Sequence, residues 1–300
     1  MHSFKSLFYL PLWFFRAKFL GKKKPLQTVL FINDNCNLRC KHCVIYAKTT
    51  PIVKTYAQIR EELEYSYRQG SRFVDFEGGE PTLWREGDKD LNSLIDLAKE
   101  IGFFSTTITT NAQRPFTGSR ADSIWVSLDG IGKFHDEIRG VGAFDRLLQN
   151  IATANHKALS VNMVVNALNY TSVEETIDFA RENPCIKSIS INFHTPFEGS
   201  EDLFLDWERR REVIDLVIAK KRAGYPIMNS VSGLRLMKDL NFKKYCWITN
   251  FIMTDGTRYP RCQGEAAGVC ERCGFSMAGE MNAVMRLKPD TIAAAMGLRG

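Results

Sequence analysis

Six short apolar runs recur along the chain, at residues 28–32, 73–76, 106–109, 124–128, 161–165 and 189–193, each rich in β-branched or aromatic side chains. Between them lie stretches with helical apolar periodicity, among them 56–68, 91–101, 144–155 and 173–182. Strands that alternate with helices form parallel β/α units. Six units predict an α/β fold, a partial (β/α)6 TIM-type barrel rather than a closed eightfold one. Such barrels build their sites at the C-terminal ends of the strands. Residues just after each run are therefore the candidates for chemistry.

The first run leads directly into Cys36-Asn-Leu-Arg-Cys40-Lys-His-Cys43, a C-x3-C-x2-C spacing. Three thiolates at this spacing can hold one [4Fe–4S] cluster and leave one iron open to a substrate. Zinc is the competing reading, although a structural zinc site takes four ligands, commonly in close pairs. His42 adjoins Cys43 and is poorly placed to share its metal. Gly78-Gly79-Glu80-Pro81 follows the second run. Glycine lets backbone approach closely, and Glu80 offers an acceptor for an ammonium group.

These two motifs resemble the radical S-adenosylmethionine (SAM) superfamily. The resemblance extends to Trp125-Val126-Ser127-Leu128-Asp129-Gly130 and His135-Asp136-Glu137-Ile138-Arg139-Gly140, which look like the branch with a C-terminal cluster domain of the SPASM or twitch type. It implies that Cys36, Cys40 and Cys43 bind the SAM-cleaving [4Fe–4S] cluster. It also implies that Gly78, Gly79 and Glu80 hold the SAM amino group, and that Ser127 and Arg139 contact its carboxylate and ribose. An arginine fork suits a carboxylate; the bland alternative for Arg139 is a surface ion pair with Asp136 or Glu137. Thr109, Thr110, Asn111 and Asp129 fall at the same strand ends as further polar contacts. His42 departs from the aromatic residue common before the third cysteine, but an imidazole can stack on adenine. Asn166 and His194 follow the fifth and sixth runs. His194 is the one candidate acid/base or substrate-contacting residue, its alternative being a hydrogen-bonded loop histidine. Cys185 precedes the sixth run, on the far face, and reads as a structural thiol.

Cys246, Cys262, Cys270 and Cys273 form a second set, with a hairpin signal at Asp255-Gly256 between the first two. By the same resemblance this is a twitch-type auxiliary domain carrying a second [4Fe–4S] cluster. Four thiolates suit zinc as well. Both clusters call for a reducing compartment, hence a cytoplasmic location, and a flavodoxin or ferredoxin as electron donor.

Residues 1–27 carry six basic side chains and no acid, which is the whole net charge of +6. The remainder is balanced, so no general nucleic-acid footprint is expected. The same segment is aromatic-rich, but its apolar run, 7–15, is shorter than the ~20 residues that span a bilayer. An amphipathic N-terminal helix at the inner face of a membrane is one expectation; a helix packed on the open barrel is the other. The domains expected are 1–27, the barrel at 28–240, the auxiliary domain at 241–276 and a tail at 277–300.

The expected activity is reductive cleavage of SAM to a 5'-deoxyadenosyl radical that modifies a substrate. The N-terminal segment points to a lipid or membrane-associated substrate. A peptide-modifying maturase is the alternative, and a non-catalytic iron–sulfur electron carrier is the alternative of another class.

Overall fold

A computed structural model describes residues 2–43 and 50–297, with side chains from 8 to 43 and from 50 to 294. Phe4, Lys5 and Leu7 of the N-terminal pattern therefore lie outside the described side chains. All six expected strands form: β1 (Gln27–Asn33), β2 (Phe73–Gly78), β3 (Ser105–Thr110), β4 (Ser123–Ser127), β5 (Leu159–Val165) and β6 (Ser188–Phe193). The same sheet gains two more strands, β7 (Thr249–Ile252) and β8 (Arg258–Tyr259), from the hairpin signal near the C-terminal cysteines, and Arg85–Glu86 pairs with Lys89–Asp90 in a separate small ribbon. The sheet order is β8-β7-β1-β2-β3-β4-β5-β6. Each neighbouring pair from β7 to β6 is parallel, and β8 runs antiparallel to β7. The terminal strands β8 and β6 do not pair, so the barrel is open. The hairpin thus extends the main sheet, with Thr28 of β1 in register with Asn250.

The helices are α1 (His2–Phe19), α2 (Tyr56–Gln69), α3 (Leu91–Ile101), α4 (Lys133–Arg139), α5 (Ala143–Ala154), α6 (Val173–Glu182), α7 (Trp207–Arg222), α8 (Val231–Leu236), a single turn α9 (Gln263–Ala266), α10 (Met277–Met285) and α11 (Pro289–Gly297). Local chemistry sets their ends. Thr55 and Gln58 form a reciprocal capping box at the start of α2, and Gly102 ends α3 in the left-handed region.

Period-2 alternation divides the strands into two faces. Leu30, Ile32, Val74, Phe76, Ile108 and Val126 lie on the helix-covered face and belong to the main core. The opposite, inner face is largely polar: Asp75 and Glu77 on β2, Thr107 and Thr109 on β3, Ser127 on β4 and Asn162 on β5. Its apolar part includes Trp125 on β4 and a small cluster of Val29 and Phe31 under Cys43, Phe251 and Met253. The inner face is thus a polar surface overlain by the cysteine loop.

Helix α1 is packed against the fold along one side, as one expectation had it, and exposed along the other. Trp13 and Ala17 are buried against Ile248 and Met285, with Tyr9 and Trp247 beside them. Tyr9 Oη donates to Gly70 O at 2.7 Å and Trp13 Nε1 to Lys24 O at 2.9 Å. The other side leaves Phe8, Leu12, Phe15 and Phe19 exposed at 73%, 46%, 51% and 60%. Among the described residues no helix is long and apolar enough to cross a membrane.

Candidate active site

The site grows from the contact between the ends of β1 and β2. Gly79 N donates to Asn33 O and Glu80 N to Asn35 O, both at 2.7 Å. A Cβ on Gly78 would stand 2.2 Å from Asn33 O, and one on Gly79 2.2 Å from Asn35 O. Gly78 also has φ +150. The sequence explains the paired glycines by close approach to a ligand; the backbone that approaches them is the first turn of the cysteine loop. Their absent side chains dock that loop on β2.

Glu80 is almost wholly buried, at 1% exposure. Its Oε1 accepts from Thr82 N, Thr82 Oγ1 and Thr110 Oγ1, and its Oε2 from Asn111 N. Burial pushes its pKa up despite these donors. The carboxylate ties the end of β2 to the end of β3. Thr110 is consumed by this tie. Asn111 turns to the cysteine loop: its Nδ2 lies 2.8 Å from Asn37 Oδ1 and 3.6 Å from Cys36 Sγ. Thr109 points to the inner face, with its hydroxyl 3.2 Å from Asp75.

Cys40 is buried, Cys43 half-buried and Cys36 exposed. The loop is held by Leu38 N on Cys36 Sγ at 3.4 Å, Cys43 N on Cys40 O at 3.1 Å and Lys41 N on Ile138 O at 3.0 Å. Burial pushes the Cys40 thiol up to about 11, and the neighbouring Cys43 and Cys36 add to the rise while Arg139 opposes it. Such thiols give up their protons to a metal cluster.

Arg139 and Asp129 form a buried pair, with Nε donating to Asp129 Oδ2 at 2.7 Å. Arg139 Nη1 is 3.9 Å from Cys40 Sγ. This differs from both partners considered for the arginine. Asp136 instead accepts from Gly142 N and Phe144 N at the start of α5, and Glu137 pairs with Lys41. Asp129 is a hub. Its Oδ1 accepts from Val164 N, its O from Asn169 Nδ2, and its N donates to His135 Nδ1. Burial would raise its pKa, but Arg139 and the nearby histidines hold it below the ordinary value.

His42 Nε2 lies 3.8 Å from Asp129 Oδ2, while its Nδ1 is buried without a hydrogen-bond partner among the described residues. Burial pulls the imidazole down to about 4. An orphaned ring nitrogen beside the cysteine loop fits a site that expects a ligand. The His194 ring is 6.5 Å away, centroid to centroid. His194 is buried, and its Nε2 faces Ser200 O at 2.9 Å and Ser200 Oγ at 3.1 Å. Its loop is thereby tied to β6. Asn166 turns into its own loop, its Oδ1 accepting from Leu168 N. Ser127 is half-buried at the end of β4, in register with Asn162. Cys185 is half-buried against the main core.

The second cysteine set also converges. Cys246 opens a turn before β7, Cys262 accepts from Gly264 N at 3.2 Å, and Cys270 and Cys273 flank a turn. Burial pushes Cys246 up to about 12 and Cys273 up to about 11, and the thiols raise one another. Segment 273–276 runs along the end of β6, with Phe193 N on Gly274 O at 2.9 Å and Gly274 N on Thr195 Oγ1 at 2.9 Å. A Cβ on Gly274 would be 1.8 Å from Phe193 O. Among the described residues no three His, Cys, Asp or Glu side chains close tightly enough around a point to hold a single metal ion.

Two features escape the sequence reading. Asp75 and Glu77 face inward together, and neither pairs with a cation among the described residues. Burial raises both pKa values, Glu77 to about 7. The signal was two acids at alternate positions in an otherwise apolar strand. The other is Arg210, whose charged run 209–211 on a helical pattern reads as a solvated face, yet which is buried beside Cys273.

The radical SAM superfamily sequence model matches residues 30–180. A probable GTP 3',8-cyclase of Methanocella arvoryzae is 25% identical over 285 residues, 80% of this chain and 92% of that protein. Pre-heme d1 synthase of Dinoroseobacter shibae is 26% identical over 216 residues, 67% of this chain and 52% of its own length. Among solved structures, Streptococcus suis SuiB bound to S-adenosylmethionine superposes with a TM-score of 0.65 at 21% identity, over 81% of this chain and 61% of that one. The enzyme anSMEcpe with bound AdoMet and a peptide gives 0.60 at 14%, over 92% and 84%. The matched span holds the cysteine loop, the paired glycines and the Arg139–Asp129 pair, and the chain belongs to the radical SAM superfamily of enzymes.

Proposed function

We propose that in this radical SAM enzyme Cys36, Cys40 and Cys43 would hold the cluster that cleaves SAM, and that the enzyme modifies a membrane-associated molecule whose polar, donor-bearing part enters the inner face of the barrel. When bound there, a [4Fe–4S] cluster with SAM supplies reductive cleavage to a 5'-deoxyadenosyl radical. The chain's own residues do the rest. The observation that carries the reading is the Arg139–Asp129 pair against Cys40. A buried guanidinium beside thiolates offsets their charge, and Asp129 fixes its direction. Gly78 and Gly79 dock the loop, Glu80 joins two strand ends beneath it, and Asn111 steadies Cys36. His42 and Ser127 remain for the ligand. Cys246, Cys262, Cys270 and Cys273 are proposed to hold a second [4Fe–4S] cluster, and a flavodoxin or ferredoxin to deliver the electron.

The substrate reading rests on two surfaces. The exposed aromatic stripe of α1, with Arg16 and Lys22 to Lys24 exposed around it, suits an anionic membrane surface. Asp75 and Glu77 suit an amine or hydroxyl-rich group, which can hydrogen-bond or pair with them. A peptide is the second reading. The fold resembles SuiB and anSMEcpe, both described with bound peptides, and a lysine side chain would also answer the acid pair. The test is anaerobic: the reconstituted, reduced protein is given SAM, and 5'-deoxyadenosine is measured. Formation that vanishes in Cys40→Ala supports the reading. A reducible cluster that yields no nucleoside, with lipid extracts or peptides present, sinks it.

A further inference from the structure

Arg210, in the first turn of α7, has no exposed surface. Its Nε donates to Met237 O at 3.0 Å and its Nη2 to Cys273 O at 2.8 Å. Its guanidinium lies between the rings of Phe193, at 4.5 Å, and Trp207, at 5.0 Å. Its Nη1 is buried and has no hydrogen-bond partner among the described residues. Among the described residues no carboxylate pairs with it. A buried charge without a counter-ion is costly, and two carbonyls and two ring faces recover only part of that cost. Burial pulls its pKa down to about 10, and the one group that pushes it back is Cys273.

The missing anion has a place. Cys273 belongs to the four-cysteine set, and the carbonyl that Arg210 grips is its own. A [4Fe–4S] core with four thiolates carries a double negative charge when oxidised and a triple one when reduced. We propose that Arg210 is the built-in counter-charge of the site formed by Cys246, Cys262, Cys270 and Cys273, and that it raises the reduction potential of the cluster bound there. The inference rests on the reading that these four cysteines hold iron and sulfide. The physical reason is simple: a fixed positive charge stabilises the more negative, reduced state more than the oxidised one. The step concerned is transfer of one electron from an external reductant to the cluster, with no bond made or broken. Arg210 is in this sense a positioning and tuning residue, since it touches no reacting atom.

The test uses the full chain, reconstituted anaerobically, in a Cys40→Ala background so that only the second cluster loads. Iron and sulfide are counted, and the midpoint potential is read by dithionite titration followed by electron paramagnetic resonance. Arg210→Gln is expected to keep about four irons and to disfavour reduction at least tenfold, about 59 mV for one electron. Arg210→Lys, which keeps the charge, is expected to stay near the parent value. If Arg210→Gln does not fold, Arg210→Met, which fills the slot between the rings, replaces it with the same expectation. A fully loaded neutral variant with the parent potential overturns the proposal. A Cys40→Ala parent that loads no iron, or one whose iron survives Cys246→Ala and Cys273→Ala, overturns the four-cysteine reading instead, and the proposal with it.

Discussion

Asp129 Oδ2 receives the Arg139 Nε at 2.7 Å, and the same guanidinium reaches to 3.9 Å from Cys40 Sγ. One ion pair therefore couples the end of β4 to the cysteine loop. Removing the arginine leaves Asp129 charged and fully buried. Arg139→Ala is expected to lose about 3–5 kcal/mol and to fail in holding the first cluster. Arg139→Ala combined with Asp129→Ala should cost less than the sum of the single changes. Urea unfolding of the metal-free chains measures the coupling.

Gly79→Ala should separate loop docking from folding. Its Cβ would meet Asn35 O at 2.2 Å, a backbone atom that cannot swing away. The expected result is a chain with native far-ultraviolet circular dichroism that loses the iron of the first cluster and retains that of the second. Full loading of both would show that the loop accommodates the methyl group.

The inner-face carboxylates set a pH dependence. Burial raises Glu77 from 4.5 to about 7, and burial with the neighbouring Glu77 raises Asp75. A carboxyl with a raised folded pKa favours the fold while protonated. The stability is whole below about 4.5 and is lost as pH rises through about 7. The metal-free chain should thus be less stable at pH 8 than at pH 5.5 from this source. Glu77→Gln should recover roughly 2 kcal/mol at pH 8, after allowing for water in the open barrel. Melting curves of both chains across that range decide it; a Glu77→Gln chain with an unchanged profile would place the dependence elsewhere.

The stripe of α1 predicts binding to anionic vesicles. Phe8, Phe15 and Phe19 are exposed, and partial insertion of each contributes about 1 kcal/mol. Replacing all three by serine should weaken binding roughly a hundredfold, while Trp13 on the packed side keeps the helix in place. Added salt should weaken the wild-type chain further, because Lys22, Lys23 and Lys24 act through charge. Co-sedimentation with phosphatidylserine vesicles is the measurement, and equal binding of both chains would rule the stripe out.

The strands and the first cysteine loop were legible because their signals are local. Six β-branched runs carry their own alternation, and the strand ends follow from them. The role of the paired glycines was not legible in the same way. Gly78 and Gly79 read as a ligand approach, and they also admit the backbone of Asn33–Asn35, more than 40 residues away in sequence, a contact that no local pattern encodes. The hairpin at Asp255-Gly256 was foreseen, but its joining β1 as a parallel neighbour is a pairing over more than 200 residues that no local pattern encodes.

The sequence by itself determined the alternation of strands and helices, the seven clustered cysteines and the basic aromatic N-terminus, since each depends on spacing along the chain. Tertiary structure alone decided which charges meet. Arg139 chose Asp129 over the nearer Asp136 and Glu137 because the turn after β4 brings Asp129 inward, while Asp136 is taken up by the amides that begin α5. Arg210 reached Cys273 because its guanidinium lies over the Phe193 ring at the end of β6, where Gly274 lets the chain pass against Phe193 O. Burial converts such meetings into large energies, and burial is a property of the folded chain.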